Sequence, residues 1–369
     1  MSTAALILAA TLTTSGSVTS TINAYVWPTL KLAASGGNAA VAPSGELTGL
    51  ASLVAAGQNL STTATGRVGG DAASASVLVG SLRSRDEALG KSGVVVGSDS
   101  ALLTTGAEKD SFLEKEFGVR MLASKPGKLA ADVTAWLESR LTMGETKPAS
   151  FGSRVLAGAA MYVVPAGAGI FPVGTISFDG HKVPAAVTTA TLSLENETAQ
   201  IALAPIGTNS KFALVFALPA PGKTPGDVLD EFGSKWNETL ASLKKGDVTV
   251  TLPIFKQAVD RDVTSWLGLK GEDALTARER LYVAIGVEPP PPPKKANQAG
   301  GGVGLGGGVW MPIWHPMAPL NVPTSYGVGG GQKRSNQEPA TLNLNRAFVY
   351  ALADTSTGQV VFAGVYANP

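Results

Sequence analysis

The sequence predicts an α+β protein with large β-sheets. Three observations lead to this class: helical spacing of apolar residues through residue 141, strand-like apolar runs over residues 154–255, and a hydrophobic hairpin at the C-terminus. Helices followed by strands, then a helix and further strands, are typical of α+β folds. At 369 residues the chain is long enough to bury a substantial core.

Helical spacing recurs in several segments of the first 141 residues. Apolar side chains recur at steps of three and four along residues 20–60. Pro43 and Ser44 predict the start of a helix there, with Pro in the first turn and Ser as its cap. Residues 129–141 give the clearest amphipathic helix. A short helix is also predicted at 112–117, and short strands at 76–80 and 93–96.

Strands dominate the middle of the chain. Residues 154–164 are apolar without alternation, which is typical of a strand covered on both faces. Further strands are predicted at 199–205, 211–218 and 247–255, with helices at 227–243 and 263–269. At the C-terminus, two apolar runs at 347–352 and 359–365 flank a polar turn, and this pattern predicts a β-hairpin.

Composition excludes several function classes. The net charge of +1 gives no basic field for nucleic acid, and the absence of cysteine excludes disulfides, cysteine zinc sites and thiol catalysis. No apolar stretch is long enough for a transmembrane helix. The apolar run at residues 4–12 lacks a positive flank, so a secretory signal is not predicted.

Enzyme signatures are also missing. The chain has no Gly-x-Ser-x-Gly, His-Glu-x-x-His or Walker motif, and its two histidines, His181 and His315, are expected in loops. The glycine run at 300–308 has no strand before it and no helix after it, so a nucleotide site is not expected. The carboxylates Asp110, Glu114 and Glu116 are expected on a solvated helix. We therefore expect neither catalysis nor a cofactor.

The C-terminal hairpin resembles the closing hairpin of the serpins, a family of serine protease inhibitors. The residues in register are Phe348, Asp354, Thr357, Gly358, Phe362, Gly364, Val365, Asn368 and Pro369. Other segments resemble serpin segments in the same order along almost the whole chain, most closely those of plant members. These are residues 38–57, 131–141, 154–164, 212–219, 248–255, 263–269 and 281–283.

The resemblance implies one serpin-like domain over residues 1–369, with helices on a large central sheet, smaller sheets and a reactive-loop region at 289–339. It implies inhibition of a serine or cysteine protease, without nucleic acid or membrane partners, by a monomer. In such inhibitors the protease cleaves an exposed loop, and the loop then inserts into the main sheet as a new strand. The family is mostly extracellular, while the lack of a signal leaves the cytoplasm open.

The resemblance also assigns the loop residues. The hinge would be Gln298, Ala299, Gly300, Gly301, Gly302 and Val303. Counting forward from the hinge places the reactive bond at Trp314–His315, whereas counting back from the hairpin places it at Arg334–Ser335, a trypsin-like site. Because the two positions differ by 20 residues, an insertion is predicted within residues 309–331.

Several departures from the family argue against efficient trapping. Seven of the nine residues at 300–308 are glycine, and each weakens an inserted strand by about 0.5–1 kcal/mol relative to alanine. Prolines 289–293 are predicted to interrupt the central strand before the hinge. We therefore expect the chain to act as a protease substrate more often than as a trap. The alternative is a non-inhibitory serpin-fold protein whose loop serves binding or storage.

The family's sheet-opening region differs as well. Gly158 stands where serpins usually have an asparagine, and the histidine that partners it is missing. The nearest candidate after residues 281–283 is Lys294.

Overall fold

The computed structural model describes residues 3–106, 111–141, 151–207, 211–271, 274–287 and 340–369. Its helices are α1 (Thr3–Ala33), α2 (Pro43–Ala55), α3 (Thr62–Gly66), α4 (Ala72–Lys91), α5 (Ser111–Phe117), α6 (Leu129–Arg140) and α7 (Pro225–Ser242). Its strands are β1 (Ala39–Val41), β2 (Val95–Thr104), β3 (Arg120–Ala123), β4 (Arg154–Pro165), β5 (Phe171–Phe178), β6 (His181–Glu195), β7 (Ala199–Pro205), β8 (Phe212–Pro219), β9 (Lys244–Pro253), β10 (Phe255–Asp262), β11 (Leu275–Val287), β12 (Ala340–Asn343), β13 (Phe348–Asp354) and β14 (Gln359–Tyr366).

A five-stranded sheet has the order β10-β11-β4-β2-β3. Its two central strands, β4 and β11, are parallel, and their register runs from Leu275 opposite Arg154 to Val287 opposite Pro165. The flanking strands β10 and β2 are antiparallel to their central neighbours. Every residue of β4 after Arg154 is buried, which confirms the prediction of a strand covered on both faces.

The second sheet has nine strands, in the order β1-β14-β13-β8-β7-β6-β9-β12 with β5 paired to β6. The predicted C-terminal hairpin is confirmed as β13 and β14, and all fifteen of its strand residues are buried. Aromatic rings fill the space between the hairpin and the other sheet. The closest stacked pair is Phe255 on Tyr366, with ring centroids 4.6 Å apart.

Three local predictions are wrong. Residues 76–80 belong to α4, not to a strand. The prediction failed because a five-residue apolar window fits the helical and the strand period equally well. Residues 264–268 form turns, and the predicted helix at 263–269 does not form; Gly268 takes a positive φ of 73°. Ser44 does not cap α2, since Ala42 is the N-cap residue and the Ser44 hydroxyl contacts Arg85.

No helix among the described residues is long and apolar enough to cross a lipid bilayer.

Helix α1 is attached to the turn of the C-terminal hairpin. The Asn23 side chain donates a hydrogen bond to the Gly358 carbonyl at 3.0 Å and accepts one from the Val360 N–H at 3.0 Å. Trp236 of α7 also donates to the Gly358 carbonyl, at 2.6 Å. The two helices therefore satisfy buried backbone groups of the β13–β14 hairpin.

We expect Asn23→Ala to lower the free energy of unfolding by about 2 kcal/mol, because it leaves the buried Val360 N–H without its acceptor. Urea unfolding measures the change. Gln200→Ala is the control: Gln200 is exposed and bonds only Glu195 in the contacts described, so its loss should change stability by less than about 0.5 kcal/mol. Equal stabilities of the two variants would contradict the prediction.

Candidate functional site

The boundary between β4 and β11, called the seam below, is the candidate site. Strand β11 ends at Val287, directly before residues 288–339, and the chain returns in β12 at Ala340. Strand β12 lies at the end of the other sheet and pairs in parallel with β9. The predicted loop region therefore connects the centre of one sheet to the edge of the other.

The predicted loop residues lie outside the described residues. These are the hinge, Gln298, Ala299, Gly300, Gly301, Gly302 and Val303, and both candidate reactive bonds, Trp314–His315 and Arg334–Ser335. Prolines 289–293, Lys294 and the predicted insertion at 309–331 lie outside as well.

The central strand β11 forms ahead of the prolines at 289–293, which themselves lie outside the described residues. Strand β11 has 13 residues, against 12 in β4, and it ends at Val287, before the first of these prolines. The strand escaped prediction because its first half contains Arg278, Glu279 and Arg280, which look solvated in sequence but are all buried.

The outer face of the seam is covered by α6. Val133, Trp136 and Leu137 pack against small and apolar residues of β4, with Tyr282 and Ala284 of β11 in the same cluster. Arg140, the last residue of α6, lies with its Nε 3.0 Å from Oδ2 of Asp99 on β2. Helix α6 is thus fastened to the β2 side of the sheet by an ion pair.

The inner face of the seam carries the first turn of α2. A Cβ added to Gly158 would lie 3.0 Å from the Gly45 carbonyl carbon and 3.1 Å from the Glu46 nitrogen. The Ser100 hydroxyl of β2 donates a hydrogen bond of 2.7 Å to the Gly45 carbonyl. Glycine at 158 therefore permits a backbone approach that an asparagine side chain would block.

Glu279 is the register partner of Gly158. The histidine expected as the partner of this position is missing from the sequence, and the nearest candidate, Lys294, lies outside the described residues. Pairing in the sheet places a glutamate opposite Gly158. Only the strand register identifies it.

Glu279 belongs to a buried carboxylate cluster made of Tyr25, Glu46, Arg261 and Glu279. Arg261 donates from Nε and Nη2 to Oε2 of Glu279 at 2.9 and 2.6 Å, and its guanidinium lies over the Trp266 ring. The Tyr25 hydroxyl donates to Oε1 of Glu46. Oε2 of Glu46 and Oε1 of Glu279 have no hydrogen-bond partner among the described residues.

Burial sets the electrostatics of this cluster. Burial, followed by the nearby charge of Glu279, raises the pKa of Glu46 well above its ordinary value. Burial also raises the pKa of Glu279, although Arg261 opposes the shift. Burial is also the main cause of the raised pKa of the Tyr25 hydroxyl, so this hydroxyl keeps its proton and remains a hydrogen-bond donor.

A second buried group lies beside the first turn of α2. Arg85 bonds Oδ1 of Asp86 at 2.7 Å, the Val360 carbonyl at 3.1 Å and the Ser44 hydroxyl. The Tyr162 hydroxyl of β4 lies 3.3 Å from Oδ2 of Asp86. This group links α2, α4, β4 and the hairpin, and its two charges balance each other.

The remaining candidate side chains are not brought together. Glu114 and Glu116 are exposed on α5, as expected, and Asp110 lies outside the described residues. His181 begins β6 and is exposed, while His315 lies outside. The described part of the chain contains no group of three or more histidine or acidic side chains that could hold a metal ion.

Comparison with known proteins agrees with this geometry. No protein-family model matches the chain, and no curated protein matches it by sequence. Native protease nexin-1, solved with heparin, is similar in structure with a TM-score of 0.65, at 13% identity over 96% of this chain and 99% of its own. The chain has the serpin fold.

Two further serpins give the same result. The Manduca sexta serpin-12 structure has a TM-score of 0.62 at 13% identity, covering 95% of this chain and 98% of that one. Tengpin, a thermophilic serpin in its native state, has a TM-score of 0.59 at 13% identity, covering 95% and 94%. The fold expected from the hairpin and the ordered segments is thereby confirmed.

We expect Gly158→Ala to lower the free energy of unfolding by about 1–3 kcal/mol, because the new methyl group must displace backbone atoms of α2. Gly80→Ala is the matched control, since a Cβ there meets nothing within 4 Å and alanine favours a helix. Denaturant unfolding of the two variants checks the difference, and an unchanged midpoint for Gly158→Ala would refute it.

Glu279→Gln should lower the free energy of unfolding by about 3 kcal/mol, because Arg261 loses its charged partner in a buried site. Glu87→Gln removes a carboxylate from an exposed pair with Lys91 and should cost less than about 0.5 kcal/mol. Both values come from urea titrations at neutral pH. A loss at Glu279 no larger than that at Glu87 would mean that the buried pair contributes little.

Proposed function

We propose that this serpin-fold chain inhibits a serine protease by offering residues 288–339 as bait and inserting the cleaved segment between β4 and β11. The observation that supports the proposal is the direct continuity of β11 with that segment, next to a parallel partner strand. No catalytic group is needed in this function, because the protease supplies the chemistry.

Strand pairing gives the insertion a driving force. A segment that leaves the end of β11 and turns back would run antiparallel to β11 and also antiparallel to β4. One parallel ladder would be replaced by two antiparallel ladders, and antiparallel pairing is slightly more stable per residue. The inserted strand would also satisfy backbone groups on both of its edges.

The attachments of the helices define which parts would separate. Asp99 fastens α6 to β2, and α2 packs on β4 and β2 through Gly158 and Ser100. Strand β10 pairs with β11 on the opposite side of the seam. Opening would therefore move β3, β2, β4 and α6 away from β11 and β10.

The partner would be a serine or cysteine protease, with a trypsin-like enzyme favoured by Lys333 and Arg334. The chain would act as a monomer, and the reactive bond would be Arg334–Ser335 or Trp314–His315. Because most members of the serpin family act outside the cell, extracellular action is part of this proposal.

The hinge composition favours a second function. The glycines at 300–308 lose much chain entropy on ordering and contribute no side chains to the sheet, so insertion would be slow or incomplete. A protease would then be released before it is trapped. In that case the chain is a cleavable serpin-fold protein whose loop serves binding or storage.

Melting before and after limited trypsin cleavage tests insertion. If the cleaved segment inserts, the melting temperature rises; since about 1 kcal/mol shifts it by roughly 2 °C in a chain of this size, a rise of several degrees is measurable. Cleavage within residues 288–339 without any rise would reject the inhibitor mechanism and leave the second function.

The fraction of molecules that trap protease is measured by SDS-stable complexes with trypsin. We expect released protease and cleaved chain to exceed the complex, because of the glycine run and the predicted insertion. Replacing Lys333 and Arg334 together by alanine should abolish both products if the reactive bond is Arg334–Ser335, whereas Lys223→Ala, at an exposed lysine outside the loop, should change neither. Complex as the main product would refute the expected excess of cleavage.

A further inference from the structure

The buried carboxylate cluster beneath the seam contains two carboxyl groups but only one guanidinium. We propose that a proton on the Glu46 carboxyl holds the seam closed, and that release of this proton favours separation of β4 from β11. Any effect of this proton on insertion of a cleaved loop rests on the proposed function. The dependence of the β4–β11 contact on the proton does not.

The position of the two carboxyl groups supports this assignment. Glu46 lies in the first turn of α2, whose backbone is in contact with β4 at Gly158. Glu279 lies on β11 opposite Gly158. The two side chains are 1% and 0% exposed and belong to opposite sides of the seam.

Charge counting shows why one carboxyl must be neutral. The cluster contains two carboxyl groups and one guanidinium, so full ionisation would bury a net negative charge. Arg261 donates two hydrogen bonds to the single oxygen Oε2 of Glu279, which leaves Glu46 with only the Tyr25 hydroxyl among the described residues. An unpaired buried charge is neutralised by proton uptake, because desolvation is more costly than protonation.

The other elements that pack around Glu46 do not alter this count. Strand β4 presents Gly158 here, β2 presents Ser100, and α1 presents Tyr25. On α4, the charge of Arg85 is already matched by Asp86. On β10, Asp260 accepts a hydrogen bond of 2.7 Å from Arg278.

Ionisation of Glu46 would place two like charges on opposite sides of the seam. Their repulsion is weakly screened in a dry site and is relieved when β11 moves away from β4 and α2. Water that enters an open seam would also solvate the Glu46 carboxylate. Both effects favour the open arrangement of the sheet over the closed one.

The sign of the pH dependence follows from the raised pKa of Glu46. Glu46 binds a proton more tightly in the closed, folded protein than in the solvated state, where a glutamate has a pKa of about 4.3. Its contribution to stability is fully present below about pH 4.3 and is lost as pH rises through the raised pKa of the folded protein. Alkaline conditions should therefore open the seam.

Hydrogen exchange of the peptide at residues 275–287, corrected for intrinsic rates and followed from about pH 5 to about pH 9, tests the proposal. Opening that releases one proton lowers protection by up to about tenfold per pH unit. Glu46→Gln, the neutral isostere, should flatten most of this slope and raise protection at the alkaline end. Glu87→Gln, at an exposed pair, should follow the wild-type profile.

Tyr25→Phe provides a second variant. It removes the hydrogen bond that stabilises the ionised Glu46, so the loss of protection should begin at higher pH than in the wild type. Profiles of Glu46→Gln and Tyr25→Phe that superimpose on the wild type would overturn the proposal. A Glu46→Gln chain that fails to fold would also overturn the proposal. The glutamine amide has the size of the protonated carboxyl and should therefore be tolerated in its place.

The two proposals fail separately. If cleavage in residues 288–339 does not raise the melting temperature but the exchange profile keeps its slope, only the inhibitor mechanism is rejected. If melting rises after cleavage and the exchange profiles are flat, the proton-dependent contact is rejected and the inhibitor mechanism stands.

Discussion

The parallel pairing of β4 and β11 is the interaction on which the rest of the structure depends. It joins the two halves of the five-stranded sheet, and both faces of the pair are covered, by α6 outside and by α2 inside. Parallel ladders are slightly less stable per residue than antiparallel ones, so the sheet is joined at its centre by its weaker kind of pairing. A strand inserted at this seam, antiparallel to both β4 and β11, would replace the parallel ladder by two antiparallel ladders.

Burial of charge at the seam is the second constraint. The first turn of α2 contacts β4 closely at Gly158. The same contact places Glu46 beneath a strand that carries Glu279, and Arg261 is the cation bonded to this pair among the described residues. The region that joins the sheet thus also buries two carboxyl groups beside one guanidinium.

The sequence alone gave much of the fold, because its strongest patterns are local. The apolar run of β4, the stripe of α6 and the paired runs of β13 and β14 have one dominant period each, and all three elements were predicted. Residues 76–80 and the buried Arg-Glu-Arg of β11 were misread because a short window or a charged triplet is ambiguous without its neighbours.

What the sequence determined by itself is the set of elements, the likeness of their order to serpins, and the position of a glycine-rich segment before the last hairpin. The tertiary structure alone decided that β4 lies beside β11, that Glu279 faces Gly158, and that Glu46 is buried near both. The reason is physical: periodicity reports which face of an element is apolar, whereas strand register and the neutralisation of buried charge depend on residues far apart in the chain.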